Sequence, residues 1–114
     1  MIIKKFEDVI AWQKAKKLTI DIYKNFEHCR DYNFKNQIQR ATVSIMNNIA
    51  EGFERQTNKE LVNFLYISKG SCGETRSMIS LAVELKYLPR EKAIILYQSS
   101  VEVSKIISGL IKTL

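Results

Sequence analysis

Residues able to carry out bond chemistry are scarce in this chain. His28 is the only histidine, and the two cysteines are Cys29 and Cys72. Together they supply at most three zinc ligands, without the paired C-x-x-C or H-x-x-x-H spacing from which a tetrahedral site is built, so no metal is expected. A nucleophilic Ser or Cys would need His28 as its base and an acid to orient it, in a stretch (HCRDYN) that lacks helical period and reads as a turn. There is no glycine-rich phosphate loop, and nothing asks for a cofactor. The chain reads as a non-enzyme.

Charge suggests binding instead. Eighteen basic residues stand against 12 acidic ones, a net charge of +6. The excess is spread along the chain: 11 against 7 up to Lys59, then 7 against 5. A field of this sign favours polyanions through counterion release, so RNA or DNA is the first partner to consider. Lys14, Lys17 and Lys24 fall on one side of the first helical stretch, and Lys4, Lys5 and Lys16 extend positive charge around its start. Phosphates along a strand can engage such a row without base readout. Arg40, Arg55, Lys59, Lys69 and Arg76 add charge, but the sequence does not order them on a face. The plain alternative is a solvated helix side on a protein-protein interaction scaffold, where the charge only aids solubility.

The elements that must position these residues are long helices. One Pro and four Gly in 114 residues leave few places for the backbone to reverse, and 46% hydrophobic with 26% charged residues is the composition of a folded domain. The length fits a single domain, residues 1–114. From Glu7 to about Glu27, Trp12, Ala15, Ile22, Tyr23 and Phe26 recur at helical spacing. A second helix is predicted from Tyr32 to Glu54, capped by Asp31 and with Phe34, Ile38, Ala41, Ile45 and Ile49 on its core face. A third starts at Asn58 behind a Thr57–Glu60 capping box and runs to about Lys86. Its apolar set is Leu61, Phe64, Leu65, Ile67, Met78, Leu81, Ala82 and Leu85, and Gly70 and Gly73 imply close packing or a kink. Pro89 opens the fourth, with Ile95, Val101, Val103, Ile106, Ile107, Leu110, Ile111 and Leu114 on its apolar face. Links this short cannot span a helix of about 30 Å, so the fold is an all-α, antiparallel, up-down-up-down four-helix bundle.

Two features of helix two stand out. The ten residues ATVSIMNNIA (41–50) carry no charge, so a surplus apolar face, Val43, Met46 and Ala50, is expected to seat a partner or another copy of the chain. Asn48 and Glu51 sit in an apolar setting and need partners. Pairing helices one and two about residue 30 brings Trp12 opposite Asn48, where its indole N–H can serve Asn48 or Glu51 in a structural network. No apolar run approaches the roughly 18 residues of a membrane span, and the N-terminus lacks a signal-peptide pattern, so a cytoplasmic protein with free, reduced thiols is expected, away from membranes.

Phe6-Glu7-Asp8 and Trp12-Gln13-Lys14-Ala15 are followed by Gln37-Ile38-Gln39-Arg40-Ala41, Ser44-Ile45 and Asn48-Ile49-Ala50-Glu51-Gly52-Phe53. After these come Lys59-Glu60, Phe64-Leu65, Gly70-Ser71 and Glu74. In that order they resemble the four-helix-bundle proteins first noticed in intervening sequences of 23S rRNA genes, over nearly the whole chain. The resemblance implies homo-oligomeric rings, typically pentamers. Similar proteins are accessory factors of diversity-generating retroelements, in which a basic ring binds nucleic acid and a reverse transcriptase. In such a ring the lysine stripe would repeat in every subunit and weak contacts would add. Members commonly have Pro after Ser-Ile where this chain has Met46, so a kink in helix two is expected to be missing.

Overall fold

The computed structural model describes residues 5–114 and shows a single 3-10 turn followed by four helices: α1 (Ile10–Asn25), α2 (Tyr32–Phe53), α3 (Asn58–Glu84) and α4 (Arg90–Lys112). Each helix packs against the next, and α1 against α4 closes the square, in an antiparallel bundle of 43 × 22 × 19 Å. The predicted architecture is the observed one.

The helix ends follow local chemistry. Asp31 caps α2, its Oδ1 accepting the Phe34 N–H at 3.1 Å. Thr57 caps α3 by accepting the Glu60 N–H at 3.2 Å, while the Glu60 carboxylate takes the Thr57 hydroxyl at 2.9 Å rather than the backbone N–H of a full capping box. The first helix starts later than its periodicity suggests. Phe6–Asp8 forms the 3-10 turn, Val9 is extended and buried, and Gln13 Nε2 donates back to Glu7 O at 2.9 Å. Pro89 is the N-cap of α4 rather than its first residue.

At the end of α3 the chain turns through Lys86, at φ 62°, with Lys86 N–H on Val83 O and Tyr87 N–H on Ala82 O. This is a Schellman turn with lysine where glycine is usual. The following residue fixes the end of the bundle. Tyr87 donates its hydroxyl to Asp31 Oδ2 at 2.7 Å and packs its ring edge-on against Phe34, which in turn meets Phe26. The α1–α2 and α3–α4 turns are thereby joined.

The Phe34 N–H, and after it the Tyr87 hydroxyl, hold the Asp31 carboxyl below the usual carboxylate range, and the same bond pushes the Tyr87 phenol up. A carboxylate with its folded pKa depressed adds stability above its unfolded-state value near 4, and that contribution disappears as pH falls through the folded value. Asp31→Asn is therefore expected to lose stability at neutral pH and to unfold along a flatter acid limb than the wild type. Chemical denaturation between about pH 2 and 7 checks both.

Along α3 the buried positions are Leu61, Leu65, Ser68, Cys72, Thr75, Ile79 and Ala82, alternating four and three residues apart. That spacing is the seam of a left-handed bundle. It differs from the predicted apolar set, since Ile67, Leu81 and Leu85 are exposed. The helix runs unbroken through Gly70–Gly73. A Cβ at Gly70 would meet nothing within 4 Å, so close packing is not its purpose. The tight approach lies at Gly52 on α2, where a Cβ would stand 2.9 Å from Leu61 Cδ1 and 3.0 Å from Phe64 Cβ.

Small hydroxyl residues lock the helices in register. Thr19 of α1 donates to Thr42 O, Ser68 of α3 to Ile45 O, and Ser100 of α4 to Cys72 O, at 3.2, 2.7 and 3.1 Å. Ser68 and Ser100 thus satisfy their hydroxyls on the neighbouring helix's backbone, Thr19 shares its proton between Thr42 O and its own helix's Ala15 O at 2.8 Å, and the buried Thr42 and Thr75 donate within their own helices. The 23-residue α4 is long and apolar enough to meet the length and hydropathy of a membrane span, which a search for unbroken apolar runs overlooks. Here its buried residues, among them Leu96, Val103 and Ile107, complete the core, and Glu102 sits on its outer side.

Candidate nucleic-acid interface

The lysine stripe of α1 is less free than its sequence implies. Lys14 Nζ lies 2.9 Å from Glu102 of α4, and Lys17 lies 3.0 Å from Asp21 one turn on. Glu102 cannot be read from a single helix period, since it arrives only when α4 closes the square, whereas Asp21 shares the stripe itself, one turn on from Lys17. Both pairs are well exposed, so each contributes little and can yield to a phosphate. Lys24 is in no salt bridge among the described residues and lies in a groove between α1 and α4 that Lys92 also lines.

The remaining basic residues divide by face. Lys4 lies outside the described residues. Lys16 stands 5.4 Å over the Trp12 ring, and Arg55 pairs with Glu51 at 2.6 Å and covers Phe64. Lys69 and Arg76 turn into the α3–α4 seam, donating to Ser108 and Ser100. Arg40 and Lys59 are exposed. A second basic group was not singled out from sequence: Arg30 of the α1–α2 turn and Lys86 of the α3–α4 turn line one cleft with His28, next to the Lys24 groove. The positive φ at Lys86 that places it there has no hydropathy signal. Asp21 and Glu27 also line the Lys24 groove and moderate the field.

The expected apolar face of α2 is revised. Met46 packs against its own core, leaving Val43 and Ala50 half-buried without it. The uncharged stretch instead belongs to a polar surface. An open groove of about 880 Å³ runs along the outside of α2, lined by the amides of Asn33, Asn36, Gln37, Gln39, Asn47 and Asn48. Tyr23 reaches it from α1, and Arg40 is its one charged residue. Apart from Tyr23, the large exposed apolar groups lie outside this groove, among them Ile94, Ile95 and Tyr97 on α4.

Trp12, Asn48 and Glu51 do not form one network. Asn48 Nδ2 donates to Ser44 O and Oγ at 2.8 and 2.9 Å, and Ser44 Oγ meets Ser71 Oγ of α3 at 2.9 Å. The network therefore joins α2 to α3, not to α1. Glu51 is exposed on Arg55, and Trp12 meets Phe6 edge-on at 5.2 Å. A register of α1 on α2 alone brings Trp12 opposite Asn48, but it says nothing of α3, whose Ser71 meets Ser44 beside Asn48.

The Cys72 thiol is chemically quiet. Burial pushes the Cys72 thiol up to about 11, against the pull of the Arg76 guanidinium, so it stays protonated at neutral pH and is a poor nucleophile. Cys29 Sγ rests 3.8 Å from Asp31 O, and His28 is exposed 3.4 Å from Glu27. Among the described residues, no three His, Cys, Asp or Glu side chains gather as metal ligands.

Comparison with known proteins agrees with this architecture. A crystal structure from Bacteroides thetaiotaomicron, of a protein of unknown function from the S23 ribosomal protein family, superposes with a TM-score of 0.84 at 25% identity, over 90% of this chain and 99% of that one. No curated protein matches by sequence. The profile of the family described as 23S rRNA-intervening sequence protein matches residues 7–109, and the chain belongs to that family.

Proposed function

We propose that this is a non-enzymatic, homo-oligomeric protein that binds nucleic acid through phosphate contacts, as an accessory to an RNA- or reverse-transcriptase-containing complex. The supporting observation is the convergence of Lys24, Arg30, Lys86 and Lys92 at the end of the bundle where the two joined turns meet. None of the four is in a salt bridge among the described residues, unlike Lys14 and Lys17. Repetition of this end in a ring, a pentamer by the family resemblance, would let individually weak contacts add.

The test is a salt titration of binding to a labelled structured RNA, with solution mass followed by light scattering. Affinity is expected to fall linearly in log-log coordinates, and each of Lys24→Gln, Arg30→Gln, Lys86→Gln and Lys92→Gln to lower the slope by about one. Binding that is absent at low salt, or unchanged by salt, sinks the reading.

Ile94, Ile95 and Tyr97 favour a second reading, in which the exposed side of α4 seats a protein partner and the charge is incidental. Capture of that partner would survive all four lysine and arginine substitutions.

A further inference from the structure

We infer that the amide-lined groove of α2 is a site for the bases of single-stranded RNA; this rests on the nucleic-acid reading and adds a second, uncharged mode of contact to it. Solvated helix faces ordinarily carry Lys and Glu, which are good helix formers, whereas Asn is a poor one. Here the groove along the outside of α2 repeats amides over four turns, with Arg40 as the only charge in its lining. Asn48 is committed inward to Ser44, and Gln37 leans on Asn33 at 3.3 Å. Asn36, Gln39 and Asn47 make no side-chain hydrogen bond among the described residues, so their donors and acceptors face the groove.

The chemistry of the lining matches one kind of occupant. Each amide offers a donor beside an acceptor, the pattern that pairs with the edge of a base. Tyr23, 44% exposed, supplies a ring face for stacking, and Arg40 supplies one phosphate contact. No carboxylate lines the groove, so nothing in it repels a backbone. Unpaired bases present their edges and faces, whereas those of a duplex are stacked and paired. A second copy of the chain fits less well, since Val43 and Tyr23 are the only large apolar groups in the lining and a subunit contact needs an apolar centre.

The experiment is fluorescence anisotropy with a labelled single-stranded RNA of about twelve nucleotides and a duplex of equal length, alongside light scattering. The wild type is expected to prefer the single strand. Tyr23→Ala should weaken that binding roughly tenfold, from lost stacking. Its salt slope should stay unchanged because no charge is removed, while Arg40→Gln should lower the slope by about one. The isosteric pair Asn36→Asp and Asn47→Asp, at exposed positions, should abolish the preference for single strands. If the wild type binds RNA with the expected salt dependence but these groove variants bind as it does, the inference falls and the proposed function stands. Failure of the wild type to bind at low salt overturns both. Variants that change the oligomer mass, with RNA affinity per subunit unaltered, would make the groove a subunit contact and overturn the inference.

Discussion

Ile45→Ala is expected to destabilise the bundle by about 2–5 kcal/mol, and Ile45→Val by about 0.5–1.5 kcal/mol. Ile45 is fully buried on α2, and its carbonyl accepts the Ser68 hydroxyl, so α3 is held against the very turn that the truncation hollows out. Collapse of α3 into the cavity would have to stretch or break that bond. The cost should therefore lie in the upper part of the range. Small domains have total stabilities of roughly 5–15 kcal/mol, so the alanine variant would give up a large fraction. Urea unfolding followed by circular dichroism measures both variants; a loss below about 1 kcal/mol for alanine would show that the site relaxes freely.

Two glycine-to-alanine substitutions in helices should move stability in opposite directions. Alanine is favoured over glycine in a helix by about 1 kcal/mol, and at Gly70, with open space around the missing Cβ, that gain should appear almost intact. At Gly52 the new methyl would lie 3.0 Å from Phe64 Cβ, which is anchored to the α3 backbone and cannot swing aside as Leu61 Cδ1 can. Moving α2 away from α3 carries an overpacking cost of about 1–3 kcal/mol, enough to reverse the sign. Thermal unfolding of Gly52→Ala and Gly70→Ala, compared with wild type, settles it. A stabilised Gly52→Ala would mean that the α2–α3 contact is softer than its geometry indicates.

The sequence foretold most of what depends on near neighbours. Asp31 and Thr57 are caps because they sit three residues before the N–H groups they accept, and periodicity located four helices to within a few residues at each end. Periodicity failed inside α3, where it favoured Ile67, Leu81 and Leu85 over Ser68, Cys72 and Thr75. Counting apolar residues rewards size, whereas this seam uses small groups that let helices approach, and Ser68 donates across to a carbonyl of α2. The site was legible only in part for a similar reason. The lysines of α1 were visible, but Glu102, which holds Lys14, lies on α4, and Arg30 and Lys86 meet only because two turns share an end. The uncharged stretch of α2 was noticed, yet its outward side bears amides rather than an apolar surplus, since Met46 belongs to the core.

The bond between Tyr87 and Asp31 also makes the two ends of the molecule unequal. At that end two connecting turns are tied to each other above a cluster of three aromatic rings. The opposite end holds the α2–α3 turn and the outer ends of α1 and α4, and α1 begins there without a side-chain cap. Fraying starts where helices are least restrained, so local unfolding should spread from that end of the bundle towards the linked turns, which form the last cooperative unit to open. Those turns also carry Arg30 and Lys86, so the cations that converge there are displayed on the stiffest part of the chain.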